Sequence, residues 1–442
     1  MKQVYFYPQL LLLSSLIFMT ANITSAQQIT KYLDAEQSDP VKMGWMVGSP
    51  PPSNRILHFD DGSFFQFPAL RWSVAHMRQF APSINVSHGL GNSRPLSSNI
   101  NNGIDKVKFV PLGETKAITW EESLQKVYGD GVIVMHHGKI VYEKYFGALK
   151  VDGQHAAMSV TKSFTGTLGI MLVKEGLIDP EKLVAEYVPE LKNSAFGDAT
   201  VRQVLDMTTA LQFSEDYADP NADIWKFSAA GNPLPKPKDF DGPKTYYEYL
   251  PTVKKKGVHG EAFGYKTVNS DVMGWIIAKV TGKTIAEVLS EKIWRKLGTE
   301  QDAYYLVDGI GTPFAGGGLS LGLRDLARFG QLILNDGKAG SEQIIPKSAI
   351  DDIRKGGSKE AFAKADYPLL KGWSYRDMWW ITNNEHGAFC ARGVHGQVIY
   401  IDPKADMVIV RFASNPVASN GANDPYSLPA YHAVAKFLMS SK

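Results

Sequence analysis

Apolar residues recur along this chain in two rhythms, and the change between them separates strands from helices. The first clear strand pair is Gly131-Val132-Ile133-Val134-Met135 and Ile140-Val141-Tyr142-Glu143-Lys144-Tyr145, joined by His136-His137-Gly138-Lys139. Two β-rich runs with a short Gly-containing link predict a hairpin and hence the start of an antiparallel sheet. Strand patterns return near the other end, at Val398–Asp402 and Met407–Phe412, split by Pro403-Lys404-Ala405-Asp406. Helical patterns cover Trp120–Tyr128, Ser159–Gly176, Leu323–Leu334 and Tyr431–Met439. The second of these carries Phe164, Leu168, Ile170, Met171 and Leu172 and stops at Gly176, so it is apolar enough to lie inside the protein.

From about 178 to 315 helical patterns alternate with loops, including a Pro- and Gly-rich loop from Ala218 to Lys244. Strands at both ends of the body with helices between them predict an α/β (α+β) domain over 117–442. Its antiparallel sheet, flanked by helices, comes from 117–177 and 316–442, and 178–315 forms an all-α insertion domain. Ahead of it, 27–116 is rich in Pro, Gly, Asn and Ser with weak periodicity, which predicts a mostly irregular N-terminal extension. A short helix around Leu70–Phe80, with Trp72 and Met77, would pack this extension on the body.

Composition narrows the setting. Lys2, the apolar run Leu10–Met19 and Thr24-Ser25-Ala26 predict a signal peptide over 1–26, cleaved near Ala26, and so a periplasmic or secreted protein. That apolar core falls short of the roughly 20 residues of a spanning helix, so no stable membrane anchor is expected. A single cysteine, Cys390, excludes an intramolecular disulfide and any multi-cysteine zinc site. With 47 Lys and Arg against 45 Asp and Glu, a net charge of +2, nothing calls for nucleic acid or an anionic membrane as partner. The oligomeric state is left open.

Candidate chemistry begins at Met158-Ser159-Val160-Thr161-Lys162, which puts a hydroxyl and an amine on one face at the start of the apolar helix. A serine needs a nearby base, and a lysine serves if burial lowers its pKa. The helix N-terminus favours a developing oxyanion. The spacing alone is weak, because Ser123-Leu124-Gln125-Lys126 repeats it; Glu121 and Glu122 beside that copy mark it as a solvated helix face.

Ser159-Val160-Thr161-Lys162 with its apolar helix resembles the nucleophile motif of serine β-lactamases, penicillin-binding proteins and their esterase relatives. The resemblance implies a β-lactamase/transpeptidase-like fold. Phe263-Gly264-Tyr265-Lys266-Thr267-Val268-Asn269-Ser270-Asp271 looks like the family's second motif, which makes Tyr265 a third catalytic group; as a tyrosinate, or sharing a proton with Lys162, it could receive the serine proton. At the third motif the family's Lys-Thr-Gly is replaced by Ala391-Arg392-Gly393-Val394-His395-Gly396-Gln397, which removes the lysine that contacts a β-lactam carboxylate. Gly393 still admits substrate to the strand, and the Val394 amide would join that of Ser159 in an oxyanion hole. His395, between Val394 and Gly396, reads as a structural position or a wall position at the substrate, and not as a general base.

Gly393–Gln397, Gln203–Met207, Glu215-Asp216-Tyr217-Ala218-Asp219-Pro220 and Trp379-Trp380 together resemble the 6-aminohexanoate-dimer hydrolases. That branch cleaves linear amides and simple carboxylic esters through an acyl-enzyme, and the likeness implies that Tyr217 contacts the scissile amide. The expected enzyme is therefore a serine hydrolase acting on a small ester or amide, with the Ala218–Lys244 loop and the N-terminal extension setting substrate size. No cofactor is expected. Nor is a metal: His136, His137 and His155 lack carboxylates at ligand spacing, and Gly316-Gly317-Gly318 lacks the Lys-Ser or Lys-Thr of a phosphate loop. The alternatives are a penicillin-binding-like D,D-peptidase or β-lactamase, and a binding or sensor protein of the same fold that does not hydrolyse.

Overall fold

The two ends of the body meet in one sheet. Its strands are β1 (Gly129–His136), β2 (Lys139–Tyr145), β3 (Ser374–Arg376), β4 (Trp379–Ile381), β5 (Phe389–Gly393), β6 (Gln397–Asp402) and β7 (Met407–Ala413). They lie in the order β3-β4-β5-β6-β7-β1-β2, each pair antiparallel, with the C-terminal β7 bonded to β1 through partners such as Ile409 and Val134. This computed structural model describes residues 32–440, so the expected signal peptide lies outside the described residues.

Five of the helices are α1 (Trp120–Lys126), α2 (Val160–Lys174), α3 (Val268–Thr281), α4 (Leu323–Leu334) and α5 (Asp424–Ser440), of which α2 and α3 carry site residues. Both faces of the sheet are covered, which is why every residue of β7 is buried. Side chains alternate across a strand. Ile399 of β6 and Val408 and Val410 of β7 meet Gly330 of α4, while Tyr400 and Arg411 point the other way onto Tyr431 of α5. On the α4 side, α2 packs against β5, and every residue from Val160 to Leu172 is buried.

The 178–315 segment is not all-helical. Ala303–Leu306 pairs with Ser83–Val86 and with Leu319–Gly322, and Gln154–Ala156 completes this second, four-stranded sheet. Leu211–Gln212 and Lys254–Lys255 form a further two-stranded ladder. Partners this distant leave no local period to read. The Ala218–Lys244 loop holds a helix, Asp223–Ala230. In the extension, the expected helix is only Leu70–Ser73 followed by a 3₁₀ turn, Met77–Gln79. The last helix starts at Asp424, seven residues before Tyr431 where the pattern placed it, and contains Pro429. Proline cannot donate to the carbonyl four residues back; that oxygen, on Pro425, accepts instead from the Leu112 amide at 3.0 Å.

Close approach makes one glycine of α2 indispensable: a Cβ on Gly166 would lie 2.1 Å from the Asp377 carbonyl oxygen in the β3–β4 turn. Gly166→Ala is expected to lower stability by about 1–3 kcal/mol through overpacking, read as a reduced Tm together with a drop in activity.

Candidate active site

The strand Gln154–Ala156 ends in a sharp turn that opens α2. Met158 adopts φ +47°, a left-handed conformation that costs a non-glycine residue about 1–3 kcal/mol. Packing of its side chain among Leu70, Val74, Ala156 and Tyr304 holds it there. The turn places Ser159 at the N-cap of α2, 7% exposed, without a side-chain cap bond that would engage its hydroxyl.

One turn later Lys162 comes onto the same face. Its Nζ donates to Ser159 Oγ at 2.9 Å and to the Gly316 carbonyl at 2.6 Å. Only 1% of this residue is exposed, and burial pushes the amine below its ordinary value, against the opposing pull of Glu215 and Asp271. Lys162 Nζ lies 5.1 Å from the centre of the Tyr265 ring, and the Tyr265 hydroxyl lies beside Ser159. Burial, reinforced by Glu215, pushes that phenol well above its ordinary value. Both groups are thus driven toward their neutral forms, an amine and a phenol, so the tyrosinate considered from the sequence is the disfavoured state.

Gly393 and Ala391 lie on the α2 face of β5, and a Cβ on Gly393 would come 3.0 Å from the Ser159 amide nitrogen. The Ser159 and Val394 amides have no acceptor among the described residues, which leaves two N–H donors beside the serine. Arg392 points to the opposite face, bonded to Asp424 and lying over Trp373 and Trp380. Ala391, at the position matched to the family lysine, is buried and uncharged.

Of the two positions expected for His395, structural or at the substrate wall, its contacts describe the structural one. Its Nδ1 lies 2.7 Å from the Asn415 carbonyl, its ring meets Phe65 edge-on at 5.6 Å, and its backbone φ is +62°. Burial pushes the imidazole down to about 4, so it is neutral and Nδ1 carries the donated proton. Its role is to hold the turn that presents the Val394 amide. Phe65 belongs to the N-terminal extension, as do Leu70 and Val74 under Met158. The extension therefore supports both turns that carry the free amides.

Tyr217 lies near Tyr265, with its hydroxyl donating to Glu215 Oε1 at 3.0 Å and its ring edge-on to Trp225 at 5.8 Å. Glu215 also accepts from the amide and hydroxyl of Thr267. One carboxylate thus ties Tyr217 to the turn bearing Tyr265, a role that sequence reasoning missed because Glu215 stood only as a letter of a motif. Asp271 was missed in the same way. It is buried four residues further along α3 beside the Ala315 and Gly316 amides, and burial pushes its carboxyl well up.

The second Ser-x-x-Lys copy forms no site: Ser123 Oγ donates to the Trp120 carbonyl at 2.6 Å, and Lys126 is exposed. Ser123 itself is buried, so only the lysine end of that copy is a solvated face. A cavity of about 410 Å³ on the other side of α3, lined by Tyr247, Asp271 and Trp275, does not include Ser159.

This fold and this serine–lysine pair define a class. The chain belongs to the β-lactamase family, whose profile matches residues 118–430. It is 34% identical over 355 residues to the 6-aminohexanoate-dimer hydrolase of Paenarthrobacter ureafaciens, covering 80% of this chain and 88% of that one. A Bacillus anthracis structure described as a 6-aminohexanoate-dimer hydrolase superposes with TM-score 0.79 at 35% identity, over 88% of this chain and 99% of that one. EstCE1, a hydrolase with promiscuous acyltransferase activity, shares the fold at TM-score 0.56 and 15% identity, over 71% of this chain and 98% of that one. The chain is a serine hydrolase. Among the described residues no helix is long and apolar enough to cross a membrane.

Because His395 supports a turn and takes no proton, His395→Asn, which tolerates the left-handed backbone, should lower kcat moderately while leaving the pH dependence between 5 and 8 unchanged. Loss of an ionisation in that range from the kcat/KM profile would show that the imidazole titrates in catalysis.

Proposed function

We propose that this hydrolase cleaves linear amides or simple carboxylic esters through an acyl-enzyme on Ser159. The observation that carries the reading is the buried Lys162 Nζ, 2.9 Å from Ser159 Oγ and driven toward its neutral, basic form. As Ser159 Oγ attacks the carbonyl carbon, its proton passes to Lys162. The tetrahedral oxyanion receives hydrogen bonds from the Ser159 and Val394 amides, preorganised donors of the kind that stabilise such intermediates. The neutral Tyr265 phenol protonates the departing amine or alkoxide and regains a proton from the Lys162 ammonium. Water then attacks the acyl-enzyme by the reverse path, with Lys162 again accepting the proton, and the acid is released.

Tyr217 suits an amide substrate. Its hydroxyl proton is committed to Glu215, so the lone pairs of its oxygen remain to accept from a scissile N–H. Substrate size is set by the Ala218–Lys244 loop, through Trp225 against Tyr217, and by the N-terminal extension. The missing lysine at Ala391 argues against β-lactams and D,D-peptides.

Hydrolysis of p-nitrophenyl acetate and of a linear amide such as the 6-aminohexanoate dimer tests the reading. Ser159→Ala and Lys162→Ala should each lose on the order of a thousandfold or more in kcat, Tyr265→Phe about 10²–10⁴-fold, and Ser123→Ala nothing. In the native enzyme kcat/KM should fall as pH drops through a Lys162 pKa lying below the ordinary 10.5, because protonation removes the base. Full activity in Ser159→Ala, or rapid turnover of a chromogenic cephalosporin by the native chain, would overturn the proposal.

We also propose export with cleavage after Ala26, on the strength of the apolar run Leu10–Met19 and the small residues that follow it. N-terminal sequencing of the protein recovered from an expressing bacterium should begin at Gln27; a retained Met1 would refute it.

A further inference from the structure

We propose that Glu385, His386 and His432 form a binding site for a first-row divalent cation, zinc being the ion that fits, which clasps the β4–β5 turn to α5. One ligand atom from each of the three lies within 4.8 Å of the others. None of them belongs to the Ser159 machinery, and α5 packs on the face of the sheet opposite α2.

The construction of the turn supports the assignment. Between β4 and β5 the Asn384 side chain accepts from the His386 amide at 3.1 Å and the Ala388 amide at 3.0 Å, and Gly387 takes φ +65°. The turn therefore presents Glu385 and His386 in a defined direction. His386 is only 5% exposed, and its Nδ1 lies 2.7 Å from Oδ2 of the fully buried Asp402, whose Oδ1 accepts from the Ala405 amide at 3.0 Å. A carboxylate only accepts, so the proton between them sits on Nδ1, and in the neutral imidazole the Nε2 lone pair is left for an external partner. A histidine oriented by a buried carboxylate through one nitrogen is how proteins fix imidazole ligands on metals and raise their basicity.

The other two ligands are able to close. His432 lies on α5 with its ring centroid 5.1 Å from that of His386, and its Nε2 is 4.0 Å from Glu385 Oε1. The side chains of His432 and Glu385 are 33% and 67% exposed. Metal–ligand bonds of about 2.0–2.1 Å in a tetrahedron bring donors to about 3.4 Å apart. Reaching that spacing needs only a small rotation of these two partly exposed side chains onto the buried His386, with water in the fourth position. Two imidazoles and a carboxylate select zinc and its neighbours over magnesium or calcium, which prefer an all-oxygen shell. Lys404 beside Glu385 and Lys436 beside His432 oppose the positive ion and moderate its affinity.

The test is calorimetric titration of tag-free, chelator-treated protein with zinc chloride at about pH 7.5. The native chain should bind one zinc ion and show a raised Tm in its presence. His432→Ala and Glu385→Gln, substitutions of a half-buried and an exposed side chain away from Ser159, should keep full esterase activity yet bind zinc at least about tenfold more weakly and lose the Tm shift. Absence of saturable binding by the native chain up to roughly 1 mM zinc, or unchanged affinity in both variants, would overturn the proposal.

Discussion

The structure is organised around the cost of burying one primary amine. Lys162 is sealed from solvent, and its two direct partners are neutral oxygens, the Ser159 hydroxyl and the Gly316 carbonyl. A carboxylate in contact would fix the charge on the lysine and abolish it as a base; a site without polar partners would make burial prohibitive. Glu215 and Asp271 act on it from a distance and keep the penalty bounded. The amine is thereby held near the balance between its two forms, which is where a proton carrier is useful.

Holding that balance requires segments far apart in sequence to meet with little freedom. Gly274 of α3 comes so close to Ala315 that a Cβ there would approach 2.7 Å, and this contact sets the neighbouring Gly316 carbonyl over Lys162. On the other flank of α2, Gly166 abuts the β3–β4 turn. That turn is fixed by buried ion pairs in which Arg202 and Arg376 are shared among Asp206, Asp352 and Asp377. Removing either arginine would leave buried or nearly buried carboxylates with fewer positive partners. The network therefore holds the turn, the turn holds α2, and α2 holds the serine and lysine in register.

The N-terminal extension belongs to the same logic. Its strand Ser83–Val86 edges the sheet that leads into the nucleophile turn, and the Val74 carbonyl accepts from the Ala156 amide at 2.8 Å. Leu70 and Val74 underpin Met158, and Phe65 underpins His395. Two non-glycine residues in left-handed conformations, Met158 and His395, flank the two free amides, and each is held by apolar contact with the extension. Strain at a functional site persists when the surroundings over-determine it, and here the extension supplies much of that constraint.

The sequence by itself determined the elements with a strong local period: the hairpin of β1 and β2, the buried helix bearing Ser159 and Lys162, α4 over Leu323–Leu334, and the paired strands β6 and β7. A spacing of three places Ser159 and Lys162 on one helical face whatever the rest of the chain does, so that pair was legible. The spacing alone does not separate this pair from Ser123 and Lys126; the charged neighbours Glu121 and Glu122 do, and the structure supplies the physical difference, one lysine sealed inside and the other in water. Only the tertiary structure decided that Ala303–Leu306 is a strand, since its partners are distant in sequence, and that Glu215 links Tyr217 to the Tyr265 turn. It also decided that His395 is buried, bonded to the Asn415 carbonyl and packed edge-on against Phe65 of the extension. Hydrophobic period is a local property, whereas burial, pKa and the direction of a side chain are sums over neighbours that the chain brings together only when it folds.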